Sequence, residues 1–399
     1  MHHAIRIVFN LVFLTSVLLV CAFSLFSRQV EEITDATEYE YPTEWDRNFQ
    51  DDLDKVLNHP NISLKWEDVE TELLHIKIKK GRLYAAFPES MEAEHHPTLF
   101  MLQRVLCLYN IRDTELMINT GDGGKILHSD ARVFPIFSWA KSDMFTDMLM
   151  PYWSFTWIPW CGKRNTTYDI EKEWKMKKSK AFWRGSATGG DYTQEKWREY
   201  ARSKLSIVCK KRKDVCDAGI VQCSQCTEEA TREMNHSIGF RDRAPGDAFK
   251  NYKIAILVDG NSAPSSRALE YFASTSLVLW QKTTEFEFFY GSLEPYKHYV
   301  PLSEDLCDVV SKIDWILSHE AHAKAIIANH LAFSSRYLCA DAITSFMAKS
   351  LNRYAASFPA HTIEISNRDI DFMESIRNHT YVYRYFQDYM GDRCINLVL

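Results

Sequence analysis

The stretch Lys253-Ile254-Ala255-Ile256-Leu257-Val258-Asp259-Gly260-Asn261-Ser262-Ala263-Pro264-Ser265-Ser266-Arg267 constrains the fold more than any other. Lys253 to Val258 reads as a strand that breaks at Asp259-Gly260. A helical stretch from Ser266 to Ala273 follows, and Ser276 to Trp280 reads as the returning strand. Strand, loop, helix and strand in that order indicate βαβ units and a mostly parallel sheet. Leu116 to Asn119, Val133 to Phe137 and Ala181 to Trp183 add further expected strands. Asp305 to Leu317 and Glu320 to Leu351 are expected as helices. The fold class is therefore α/β.

Open α/β sheets bind ligands outside the carboxyl ends of their strands, and three segments place polar groups there. In the first, the small residues after Val258 let backbone amides approach a phosphate, and a helix N-terminus adds positive dipole. Arg267, in the first turn of that helix, can lay a forked guanidinium on a diphosphate. An ordinary strand–turn–helix junction with a surface arginine fits the same letters. The second segment, Trp183-Arg184-Gly185-Ser186-Ala187-Thr188-Gly189-Gly190, is expected as a strand end and a small-residue loop with hydroxyls at Ser186 and Thr188. In the third, Asn119-Thr120-Gly121-Asp122, a lone carboxylate stands where a strand stops. It can take a proton from an attacking hydroxyl, although an aspartate in a turn ordinarily caps its own backbone.

The N-terminus carries an address. Residues 7–26 are uncharged and rich in Leu, Val and Phe, between Arg6 and Arg28. Twenty residues at 1.5 Å rise span about 30 Å, the thickness of a bilayer's hydrocarbon core. The reading is a signal anchor with the body in a lumen. A signal peptide cleaved near Cys21-Ala22-Phe23-Ser24 is the alternative. Residues 27–60 hold the acid-rich stretch from Glu31 to Asp54, with ten acids and one base, and read as an irregular stem. Four sequons, at Asn61, Asn165, Asn235 and Asn378, suit a lumenal body. Nine cysteines lie beyond the apolar run. In a lumen, Cys209, Cys216, Cys223 and Cys226 suit disulfides better than zinc. A net charge of −6 with 46% apolar content excludes a basic nucleic-acid binder and a mainly disordered chain. The runs 172–180 and 210–213 read as solvated basic faces. His298-Tyr299 reads as part of a packed loop.

An ordered set of motifs resembles the core of glycosyltransferase family 90. It comprises Pro135-Ile136-Phe137-Ser138, Pro151-Tyr152-Trp153, Trp183-Arg184-Gly185-Ser186 with Thr188-Gly189, and Tyr252-Lys253 through Asp259-Gly260-Asn261-Ser262. Arg267, Tyr290, Pro295-Tyr296-Lys297-His298-Tyr299-Val300-Pro301 and Asp305-Leu306 complete it. The family includes Rumi-type protein O-glucosyltransferases and fungal capsule-associated (CAP10-like) xylosyltransferases. The similarity spans roughly residues 100–350. The stretch Trp157-Ile158-Pro159-Trp160-Cys161-Gly162 and the cysteine layout depart from the Rumi-like pattern, which bears on the acceptor.

The resemblance implies a GT-B-like fold, two Rossmann-like domains facing a cleft, behind the N-terminal transmembrane anchor. The implied divisions are a cytosolic tail (1–6), the anchor (7–26), a stem (27–60), an acceptor-side domain (61–175), a UDP-sugar-binding domain (176–350) and a helical extension (351–399). It implies an inverting, metal-independent transferase with no cofactor. Such an enzyme moves glucose or xylose from UDP-glucose or UDP-xylose to a protein serine or another hydroxyl acceptor in the endoplasmic reticulum or Golgi. Asp122 matches the catalytic base. Ser186, Arg198, Gly260, Asn261, Ser262, Ala263, Ser265, Ser266 and Arg267 match donor-binding positions. A xylosyltransferase acting on a polysaccharide or glycan is one alternative, and an inactive lumenal binding protein on a transferase scaffold is another. Each version with catalysis requires Asp122 and Arg267 to meet in one cleft.

Overall fold

A computed structural model describes residues 39–63, 73–86, 95–159, 161, 168–264, 266–359 and 363–377. The expected anchor at 7–26 lies outside these residues. Among those described, no helix is long and apolar enough to cross a membrane.

The chain builds two α/β lobes, each around its own sheet. The first opens with helix α1 (Thr43–Leu57), followed by the hairpin strands β1 (Leu74–Lys79) and β2 (Arg82–Ala86). Helix α2 (His95–Leu108) and strands β3 (Thr114–Ile118), β4 (Ile136–Ser138) and β5 (Met148–Leu149) follow. Lys80 and Gly81 join the hairpin with φ of 51° and 73°, the left-handed pair that a two-residue turn between twisted strands needs. The β1–β2 and β1–β3 pairings are antiparallel, and the β3–β4 and β4–β5 pairings are parallel. This sheet is thus mixed, where two Rossmann-like halves would each be parallel.

The second lobe holds α3 (Ile170–Met176), β6 (Lys178–Ala187), α4 (Ala201–Lys211), β7 (Cys216–Cys223) and α5 (Glu228–Ile238). It continues with β8 (Tyr252–Leu257), α6 (Ser266–Phe272), β9 (Leu277–Gln281), β10 (Val300–Leu302), α7 (Val309–Ser318) and α8 (Glu320–Tyr337). Its sheet order is β10-β9-β8-β6-β7, and every pairing is parallel. All six residues of β8 are buried, as befits a strand covered on both faces by helices. One face of this sheet shares a continuous core with the first lobe, including Ala255, Leu257 and Trp280. The other face packs Ile254, Ile256 and Leu279 under its own helices. Chain order reverses at β6: β7 lies on one side of it and β8 on the other. The crevice outside the carboxyl ends of β6 and β8 is thus a topological switch point, where open α/β sheets bind ligands.

Three boundaries differ from expectation. The stem does not run to residue 60, because α1 is part of the core, with Trp45, Phe49, Leu53 and Val56 buried. Its acidic residues mask an apolar stripe at helical spacing. The long helix expected from Glu320 to Leu351 breaks at Leu338-Cys339. Cys339 is extended there and joined to Cys161 by a disulfide. Beyond the break, α9 (Ala340–Ser357) returns to the first lobe and packs on α1 and α2. The Tyr354 hydroxyl donates there toward the Glu115 and Pro135 carbonyls at 3.3 and 3.2 Å. Strand β11 (Ile370–Asp371) then pairs with β2, and helix α10 (Phe372–Arg377) closes the described chain. A division at residue 350 therefore cuts through one helix of the first lobe.

Candidate active site

One set of loops at the candidate site comes from the second lobe. Strand β6 continues through Arg184-Gly185-Ser186 to Ala187, further than expected, so the loop starts at Thr188. Gly189, at φ +87°, lies so close to the next loop that a Cβ there would sit 2.2 Å from the Gly260 carbonyl oxygen. Only glycine permits that approach. After β8 the chain turns through Asp259 to Pro264, and the Gly260 amide donates to the Ser262 carbonyl at 3.0 Å. The helix that follows, α6, has seven residues, so little dipole is available. Positive charge comes instead from two guanidiniums.

Arg202, in the first turn of α4, reaches back under both loops. Its Nε donates to the Asp259 carbonyl at 2.8 Å, and its Nη1 to the Ser186 carbonyl at 2.8 Å and the Thr188 hydroxyl at 2.5 Å. Burial, reinforced by the neighbouring Arg267, pushes its pKa down to about 10, which leaves it a cation at neutral pH. Arg267 is half-buried and makes no ion pair among the described residues. Two adjacent cations suit an anion with several oxygens.

The opposite wall comes from the first lobe. Past β3, Asn119 and Thr120 are buried and Asp122 is exposed. Asn119 accepts from the Gly121 amide at 3.0 Å and donates to the Gly123 carbonyl at 2.6 Å and to Ser138 Oγ at 3.0 Å. Ser138 donates to Asp147 Oδ1 at 2.9 Å. Asp147, fully buried, also accepts from the Lys125 and Ile126 amides at 3.1 Å. Burial pushes the Asp147 carboxyl up, against the hydrogen bonds that favour its charged form. Below it, Lys141 Nζ donates to the Asp147 carbonyl at 2.6 Å and pairs with Asp52 of α1 at 2.7 Å, a buried ion pair. The loop bearing Asp122 is thus gripped from inside at both ends.

The two walls meet in one cleft of about 230 Å³, whose lining includes Asp122, Thr188, Arg202, Gly260, Asn261 and Arg267. Asn261 Nδ2 donates to Asp122 Oδ2 across it at 2.7 Å. Val258, Ser262, Ala263, Pro264 and Ser266 complete the lining. Ser262 Oγ donates to Glu285 at 3.0 Å. Behind the loop, burial holds the Asp259 carboxyl up at about 6, with the Thr283 hydroxyl opposing and Glu285 adding.

Of the residues expected from sequence, Asp122, Gly260, Asn261, Ser262, Ala263, Ser266 and Arg267 line this cleft. Ser265 lies outside the described residues. Ser186 does not line it, and what it offers is its carbonyl, which holds Arg202. Arg198 is a correction. It stacks 4.2 Å from the Trp197 ring centroid, pairs with Glu233 and is half-exposed away from the cleft. Arg202, four residues on, lines the cleft instead. Lys196 to Arg202 contains both arginines, and the choice turns on helix phase: Trp197–Glu199 is a 3-10 turn and α4 starts only at Ala201. Asn119, Ser138 and Asp147 were also missed as site residues. The Cys209, Cys216, Cys223 and Cys226 group forms two disulfides, Cys209–Cys216 and Cys223–Cys226. His298 is buried in its loop, where its Nδ1 accepts from the Glu294 amide at 2.9 Å.

The profile of the family described as Glycosyl transferase family 90 matches residues 43–379. Protein O-glucosyltransferase 1 of Homo sapiens is 26% identical over 304 residues, covering 70% of this chain and 71% of that protein. Protein O-glucosyltransferase 2 of Danio rerio is 26% identical over 299 residues, 71% of this chain and 55% of that protein. An uncharacterized protein, 035R, of Invertebrate iridescent virus 3 is 28% identical over 243 residues, 57% of this chain and 22% of that protein. The match thus spans about a fifth of the viral relative and about half of the fish one.

Proposed function

This chain belongs to glycosyltransferase family 90, and from that premise we propose that it moves glucose or xylose from a UDP-sugar to a hydroxyl acceptor, a protein serine first among them. The observation that carries the reading is the meeting of Asp122, Arg202 and Arg267 in one cleft at the switch point of a parallel sheet. Relatives named protein O-glucosyltransferase favour glucose over xylose.

The reaction is a single in-line displacement. The acceptor oxygen forms its bond to the anomeric carbon while the bond from that carbon to the β-phosphate oxygen breaks, and the bonding pair leaves with UDP. The acceptor proton passes to the Asp122 carboxylate. Attack and departure on opposite faces invert the anomeric centre. Charge accumulates on the leaving diphosphate, and Arg202 and Arg267, already in place, stabilise it without reorganisation. That pair of cations fills the role a divalent metal plays elsewhere, so turnover is expected to survive chelation. The GT-B-like description fits two α/β lobes around the cleft. Cys161–Cys339, Cys209–Cys216 and Cys223–Cys226 suit an oxidising lumen, and the sequons at Asn61 and Asn235 stand on exposed residues.

The test incubates the chain with a UDP-sugar panel and candidate acceptors, reading UDP release and the mass and anomeric configuration of the product. Transfer from UDP-glucose or UDP-xylose with inversion is expected. Release of no UDP from any donor, or retained configuration, overturns the reading. Binding of UDP or a UDP-sugar with no UDP released from any donor points to the inactive-scaffold alternative.

A further inference from the structure

Asn261 stands where three loops meet. Its Nδ2 donates to Asp122 Oδ2 at 2.7 Å, and its Oδ1 accepts from the Gly189 amide at 3.0 Å. The partners dictate which way the amide points, since a backbone N–H only donates and a carboxylate only accepts. One exposed side chain therefore ties the loop after β3, in the first lobe, to the loops after β6 and β8 in the second. The family resemblance places Asn261 among the donor contacts, yet both ends of its amide are occupied by the protein itself.

We propose that Asn261 is a positioning residue for the base. It holds one carboxylate oxygen of Asp122, leaves the other for the acceptor hydroxyl, and makes the orientation of the base depend on the donor loop. The inference rests on the proposed role of Asp122. The backbone of the Asp122 loop is anchored from within by Asn119, Ser138 and Asp147. None of these contacts reaches the Asp122 carboxylate. As an exposed side chain it would otherwise turn freely among rotamers. A general base must sit about 2.6–3.2 Å from the proton it takes, and a misplacement of about 1 Å costs on the order of a hundredfold. A charge-assisted hydrogen bond from across the cleft removes that freedom only while the donor loop is in place.

Asn261→Ala and Asn261→Asp are compared with wild type in the full chain. The assay is hydrolysis of whichever of UDP-glucose and UDP-xylose the wild type turns over, with water in place of the acceptor. UDP affinity is measured by calorimetry. Asn261→Ala is expected to lower kcat by about ten- to a hundredfold, while donor KM and UDP Kd stay within about threefold. Asn261→Asp places a second carboxylate against Asp122, in a cleft whose other charges are Arg202 and Arg267. The acidic limb of its kcat profile is expected to move up by about one pH unit. A merely structural role would not separate kcat from KM in this way. A more than tenfold loss of UDP affinity at unchanged kcat makes Asn261 a donor contact and overturns the inference. So do variants indistinguishable from wild type. Asp122→Asn, run alongside, separates the two levels. If it keeps full turnover, the assignment of the base fails. If it loses turnover while the Asn261 variants do not, only the positioning role fails.

Discussion

In the second lobe the loops that line the cleft follow from strand order in a parallel sheet, whereas in the first lobe the loop that carries Asp122 is held by a relay of side chains. The parallel sheet needs little help: reversal of chain order between β6 and β8 opens a crevice at their carboxyl ends. In the mixed sheet it is the backbone of the loop bearing Asp122 that is anchored, by Asn119, Ser138 and Asp147. The difference separates two kinds of vulnerability. Charge removed from the second lobe should act on the leaving diphosphate. Hydrogen bonds removed from the first should act on where the base stands.

The largest expected effect tests the first lobe at its tip. Asp122→Asn should lower turnover by about 10²–10⁴ with UDP affinity kept, measured by steady-state kinetics and calorimetry; near-normal turnover would remove the base from this wall. Arg267→Ala tests the other wall. It should cost at least about a hundredfold in turnover, on the order of 3 kcal/mol of barrier, and a folded variant with normal kcat would break the assignment of charge to the second lobe. Asp147→Asn sharpens the contrast, because it touches no part of the cleft. Its new NH₂ group faces donors that need an acceptor, so about 1–3 kcal/mol of stability should be lost in chemical denaturation. Turnover should fall by about tenfold with UDP Kd unchanged. Weakened UDP binding in that variant would show that the relay serves both walls.

The last effect, on stability alone, runs in the opposite direction. Asp259 has a buried carboxylate oxygen without a hydrogen-bond partner among the described residues, and a folded pKa raised to about 6 from 3.8. A carboxyl whose folded pKa is raised binds its proton more tightly when folded, so stability falls as pH climbs from about 4 to about 6. Asp259→Asn removes that cost. Its thermal unfolding should match wild type below about pH 4 and exceed it by about 2–3 kcal/mol above about pH 6. A variant less stable at pH 7 would mean that the orphan Asp259 oxygen gains a partner in solution.

Much of the second lobe was legible in the letters. The run from Lys253 to Val258, the small residues after it and the returning strand state a βαβ unit locally, and Arg267 lies within the same fifteen residues. Asp122 was legible as a carboxylate at a strand end. The first lobe was harder to read because its stabilising contacts are distant in sequence: α1 and α9 reach it from opposite ends of the described chain, and acid content hid the apolar stripe of α1.

By itself the sequence determined the α/β class, the family and the chemical types at the cleft, because short-range periodicity and small-residue loops are written in consecutive residues. Only the tertiary structure decided that Arg202 rather than Arg198 turns inward, that α9 closes the first lobe, and that Asn261 touches Asp122 from 139 positions away in the chain. Those outcomes depend on helix phase and on which surfaces are buried against each other, and both are settled by packing over the whole molecule.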